Sequence, residues 1–251
     1  EKDGEELPDA LRGFWRLVTT EEYAERRTLR RQRHYFDVSR RLELEGWNAA
    51  VRLEVLRQLA PLPMLRPDTG FRELLRQAGG DTSDTDSEET TLQDLVRVEM
   101  VLAGCDEHEH VLQRLRTSPE YRSRLAGIAH DLTRLLEEAL DLFGYLGMAD
   151  LDSDPSWHQL PSVAEHSQNR PRSAEWTRLV ELVRDGFQAL VGSDRAAARA
   201  LATRWSKVSY PVFRRLLLHA ATEFRAVRVR VALDPLMGGK AAALWSPSVY
   251  R

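Results

Sequence analysis

Residues 155–171, PSWHQLPSVAEHSQNRP, place His158, Glu165, His166 and Asn169 beside Trp157 and three prolines. Histidine beside a carboxylate can move protons near neutral pH, so the stretch is the first candidate for catalysis. It has no nucleophile set against a base and no third group at a recognisable spacing. Trp157, Leu160, Pro161 and Val163 instead supply apolar anchors at short intervals. The economical reading is a connector packed onto neighbouring helices. In it Trp157 buries a large aromatic surface, and His166 and Asn169 bond backbone groups near the start of the helix that follows Pro171.

Four other groupings invite chemistry. Residues 105–110, CDEHEH, resemble a metal cluster, but His108 and His110 are two apart and fall on different helix faces, whereas a helical zinc pair needs i, i+4. Asp106 with Glu109 fits a capping box at a helix start. His130-Asp131 matches the dyad of metal phosphohydrolases, without the further ligands that chemistry requires. Gly238-Gly239-Lys240 resembles the end of a phosphate-binding loop, but Asp234 stands where the first glycine is needed and Ala241 where Ser or Thr would hold magnesium. Finally, Arg26, Arg30 and Arg33, flanked by Arg27 and Arg31 and followed by Tyr35, form a basic stripe on one helix. Such a stripe can track a phosphate backbone or simply pair with Glu21, Glu22 and Glu25. No catalytic, cofactor-binding or metal-ligating residue is assigned, and no cofactor is expected.

The elements that must position these residues are helical. Apolar spacings of three and four recur along the 251 residues, 42% of which are hydrophobic. Helices are expected at about 19–45, broken at Gly46, then at 48–59, 71–77, 92–103, 107–116, 118–146, 173–191, 194–206 and 210–224. The helix at 118–146 carries a wide stripe of Leu125, Ile128, Leu132, Leu135, Leu136, Ala139, Leu140 and Phe143 and should be central. Residues 79–91, GGDTSDTDSEETT, hold five acidic residues and no basic or apolar one, the composition of a mobile loop. Only RVRVAL, residues 228–233, alternates as a strand would. The expected fold is all-α: an irregular, HEAT-like array or bundle of α-hairpins. It divides into an N-terminal helical segment (1–78), the acidic loop (79–91), a helical core segment (92–149), the connector (150–172) and C-terminal hairpins (173–251).

A net charge of −3 argues against a generally basic nucleic-acid binder. Lys2, Lys207 and Lys240 are the only lysines, so Arg dominates the cations. Cys105 is the sole cysteine, which rules out an internal disulfide and fits a reducing, cytoplasmic setting. No apolar run approaches the roughly 18 residues of a membrane span. The chain begins without Met and ends at LWSPSVYR, where Ser246-Pro247 announces a helix, so a piece of a longer protein is expected.

Three segments carry a family resemblance: LPSVAEHSQN (160–169), RWSKVSYPVFRRLLLHAATE (204–223) and LWSPSVYR (244–251). Residues from about 150 to 251 resemble the helical-repeat region of large bacterial ATP-binding proteins of the STAND or anti-phage-defence type. The resemblance implies a scaffold or sensor region whose NTPase and effector modules lie elsewhere in the parent chain, and it carries over no catalytic residue. The expected function is therefore recognition of a protein partner or self-assembly, without catalysis. The alternative is a nucleic-acid-binding module using the Arg26–Arg41 helix.

Overall fold

The computed structural model describes residues 38, 41–67, 96–104, 112–113, 115–166, 169 and 174–223. Expectations for the Arg26 to Arg33 stripe, residues 79–91, the 105–110 cluster, the 228–233 strand and Gly238 to Lys240 lie outside these residues. The described chain is mostly helical, in the order α1 (Ala49–Gln58), β1 (Pro61–Pro67), β2 (Val96–Leu102), α2 (Tyr121–Tyr145), α3 (Ser156–Gln159), α4 (Thr177–Ser193), α5 (Arg195–Trp205) and α6 (Pro211–Glu223). Residues 41–45 and 115–117 add short helical pieces.

Local signals place the helix ends. Gly46 takes φ +69°, which a side-chain-bearing residue adopts only at a cost, and ends the helical run at 41–45. Asn48 then caps α1, its side chain accepting from the Val51 N–H at 2.9 Å. Asp194 does the same for α5, accepting from Ala196 and Ala197.

All eight apolar residues of the stripe expected on 118–146 are buried along α2. The α2–α4 seam is the most extensive helix contact in the molecule. Around it, Phe143 meets Trp176 edge-on at 5.1 Å, and Phe187 lies 4.7 Å from Trp205, itself 6.4 Å from Phe213. These aromatics are essentially inaccessible to solvent and dominate the core. The Trp205 indole N–H donates to the Thr133 hydroxyl at 3.2 Å, which donates to the Ala129 carbonyl, so both buried polar groups are satisfied.

The all-α expectation needs correcting at one place. Residues 96–102, expected inside a helix at 92–103, form a strand that pairs antiparallel with β1, from Pro61 opposite Leu102 to Pro67 opposite Val96. Val96, Val98, Met100 and Leu102 alternate with Arg97, Glu99 and Val101, a two-residue period that strand pairing rewards. Its partner, PLPMLRP, reads as a linker because of its prolines. Pro61, Pro63 and Pro67 share one parity, however, and Ala103 N–H bonds the Ala60 carbonyl at 2.8 Å, so even-numbered residues of β1 face β2. The missing proline N–H groups therefore point away from the ladder, where nothing is lost. On the far edge of β2, the Leu102 N–H is taken by the Glu175 carboxylate at 3.1 Å.

No helix among the described residues is long and apolar enough to cross a membrane.

Candidate functional site: a charged cleft bordered by the connector

The connector is built from buried polar side chains bonded to backbone. Asp154 is 1% exposed: Oδ1 accepts from the Ser156 N–H at 2.9 Å and from the Ser156 hydroxyl, and Oδ2 accepts from the Val212 N–H at 2.7 Å. One carboxylate thus caps the starts of α3 and α6 together. Arg215, on the apolar face of α6 and 4% exposed, donates to the Ser156 carbonyl and hydroxyl at 3.2 Å and to the Leu160 carbonyl at 2.7 Å. Burial lowers the Arg215 pKa and the Asp154 charge works against that shift. Further along, buried Asn169 accepts from the Ser162 N–H at 3.1 Å and donates to the Ser162 and Ala164 carbonyls at 2.9 and 3.2 Å. The loop 162–169 is closed by a single amide.

The expected anchors are used unevenly. Asn169 is buried and bonds the connector's own backbone at Ser162 and Ala164, while residues 170–173 lie outside the described residues. Trp157 is only half-buried, edge-on to His158 at 5.1 Å. The fully buried tryptophan here is Trp176, whose N–H donates to Gln159 Oε1 at 2.6 Å. Side-chain count explains the exchange: α3 spans four residues and can turn only one narrow face inward, taken by Ser156 and Leu160. His166 is exposed, and its carbonyl accepts from the Asn169 N–H at 3.1 Å. Sequence reading missed Asp154, Ser156 and Arg215. Asp-Pro-Ser is a helix-start signal that points to the first two, and Arg215 is one of two adjacent arginines flanked by Val212, Phe213, Leu216 and Leu217.

Behind the connector rim of Glu165, His166 and Asn169 lies a cleft of about 770 Å³ between the N-terminal half of α2 and the length of α4. Arg184 at its edge donates to Asp185 Oδ1 at 2.7 Å and to the Val163 carbonyl at 2.9 Å, tying connector to helix. Arg178 pairs with Glu181 at 2.8 Å one turn earlier. Burial pushes the Asp185 carboxyl above the ordinary carboxylate range despite Arg184 beside it, and pushes the Tyr121 phenol up despite Arg116. His219, on α6, is held below the usual histidine range by burial and by the Arg184 charge.

The remaining candidates scatter. His130 is exposed on α2, and Asp131 is engaged by Arg52 of α1. Arg41, from the end of the arginine-rich helix, is held by both carboxylate oxygens of Glu45 at 3.0 and 3.2 Å. Among the described residues, no group of three or more His, Cys, Asp or Glu is placed to hold a metal ion. No family model, curated protein or solved structure matches this chain.

Proposed function

We propose that this chain is a non-enzymatic helical scaffold or sensor region that recognises a protein partner, or another domain of a longer parent chain, through the cleft between α2 and α4. The observation that carries this reading is the use of the connector's polar residues. Asp154, Ser156 and Asn169 of the connector and Arg215 of α6 are bonded to backbone or to each other, so the buried polar groups of this region serve the fold. In the cleft, charged groups of both signs face one another at the surface, the arrangement that selects a partner by complementarity. The resemblance of residues 150–251 to helical repeats of bacterial STAND-type defence NTPases supports a scaffold within such a protein, and the lone Cys105 fits the cytoplasm.

The test is turnover. The purified chain is assayed against nucleotides and phosphoesters. Hydrolysis that Asp185→Asn abolishes while the unfolding temperature stays constant overturns the scaffold reading. The alternative, a nucleic-acid module on the expected Arg26–Arg41 helix, draws no support from Arg41, which pairs with Glu45. Salt-dependent binding of DNA or RNA, lost when Arg26, Arg30 and Arg33 are replaced, would restore it.

A further inference from the structure

Five large apolar side chains stand exposed among the described residues, and three of them lie within seven residues at the end of α2: Tyr145 at 71%, Met148 at 42% and Leu151 at 61%. Clustered apolar exposure on a fixed frame marks an interaction surface, whereas single exposed residues do not. The frame here is fixed. Gly147, at φ +69°, closes α2, and the Met148 N–H donates to the Phe143 carbonyl at 2.8 Å, the long bond of a Schellman turn. In such turns the residue after the glycine usually packs on the side chain three positions inside the helix. Phe143 is instead committed to the core against Trp176, and Met148 is left facing outward. The Leu151 carbonyl is held by Arg214 at 2.9 Å.

Charge says what covers this surface. From Leu135 to Ser153 the chain carries Glu137, Glu138, Asp141, Asp150 and Asp152 and no Lys or Arg. The cations facing it from α5 and α6 are partly committed: Arg204 binds Glu137 at 2.5 and 3.0 Å, Arg214 binds backbone carbonyls, and Lys207 is exposed. Acidic groups therefore outnumber basic ones. Beside Leu151 opens a cleft of about 580 Å³ lined by Glu137, Asp141, Asp150, Arg204, Lys207 and Tyr210, in which Arg204 binds Glu137 and the Tyr210 hydroxyl donates to Asp141 at 2.7 Å. Its three carboxylates outnumber its two cations, so it can take one further cationic side chain.

We propose that the end of α2 docks a basic amphipathic helix of a protein partner. Its apolar face covers Tyr145, Met148 and Leu151, and one Lys or Arg enters the cleft between Asp141 and Asp150. The inference rests on the scaffold reading only in taking the occupant to be a protein, and it adds a second surface distinct from the α2–α4 cleft.

The probe is a Leu/Lys peptide of about 18 residues, five helical turns, with leucines on one face. Controls are a scrambled peptide of the same composition and a Leu/Glu analogue, all at about 0.15 M salt. The Leu/Lys peptide is expected to bind and to protect residues 141–153 from hydrogen exchange. Met148→Lys and Leu151→Lys, both at exposed positions, are expected to weaken it by roughly tenfold or more with unchanged unfolding temperature. Arg178→Glu, in the other cleft, should leave binding unchanged. Equal binding by either control, a footprint elsewhere, or indifference to the two lysine variants overturns the proposal. So does a concentration-dependent dimer that Leu151→Lys dissolves, which would make a second copy the occupant. Turnover in the assay above would remove the scaffold reading without altering this footprint.

Discussion

The connector and the cleft it borders contain similar residues and use them in opposite ways. Around the connector, its Asp154, Ser156 and Asn169 and Arg215 of α6 are buried and spend their hydrogen bonds on backbone of α3, α6 and the loop, or on each other. In the cleft, Arg178, Glu181, Arg184 and Asp185 pair within α4 and keep one side toward solvent. A buried polar group without its partner costs far more than an exposed one, so the same residue types become architecture in one region and an adjustable surface in the other.

The sharpest break in that contrast comes from Arg215→Ala. It leaves the buried Ser156 and Leu160 carbonyls without their donor and removes the charge that balances buried Asp154, and chemical denaturation should show a loss of about 3–5 kcal/mol. A loss below roughly 1 kcal/mol would mean the connector is not held by this clamp. Trp176→Ala should cost a similar ~3–5 kcal/mol by emptying an aromatic site, against about 1 kcal/mol for Trp157→Ala, which is already half in water. Equal losses would return Trp157 to the anchoring role that the sequence suggested. Asn169→Ala should cost about 1–3 kcal/mol, because the Ser162 N–H and two carbonyls lose their partner together. In the cleft, Arg178→Ala should change stability by about 0–1 kcal/mol, the range of a partly exposed helical ion pair.

The smallest effect is a change of slope with pH. Burial raises the Asp185 pKa in the folded chain, so the folded chain holds this proton to higher pH than the unfolded chain does. Its contribution is therefore complete below the ordinary aspartate range and is lost as pH rises through the raised value. Asp185→Asn should remove that decline and be at least as stable as the parent at pH 7, as unfolding curves at several pH values will show. A variant clearly weaker at pH 7 would mean the charged Arg184–Asp185 pair stabilises the fold.

Much of the helical framework is written locally. The run from Leu125 to Phe143, the stop at Gly46, and the starts at Asn48 and Asp194 can each be read within a few residues, because helix hydrogen bonds and caps join groups at most four or so positions apart. The candidate site was less legible. Trp157 and Trp176 look equally suitable as anchors in the sequence, and only the length and facing of α3 put one in the core and the other at its edge.

Sequence alone therefore determined the long described helices from Ala49 onward, other than the expected helix that proved to be β2, and which face of α2 is buried. Tertiary structure decided what local patterns cannot carry. Strand β2 needs a partner whose residues lie 29 to 41 positions earlier before its alternation outweighs a helical reading, and the prolines of β1 are harmless only on an outward-facing edge. The clamp joins Ser156 to Arg215 across 59 positions and Asp154 to Val212 across 58. A polar side chain is stable in the core only when distant segments deliver its hydrogen-bond partners, and that delivery is a property of the folded chain as a whole.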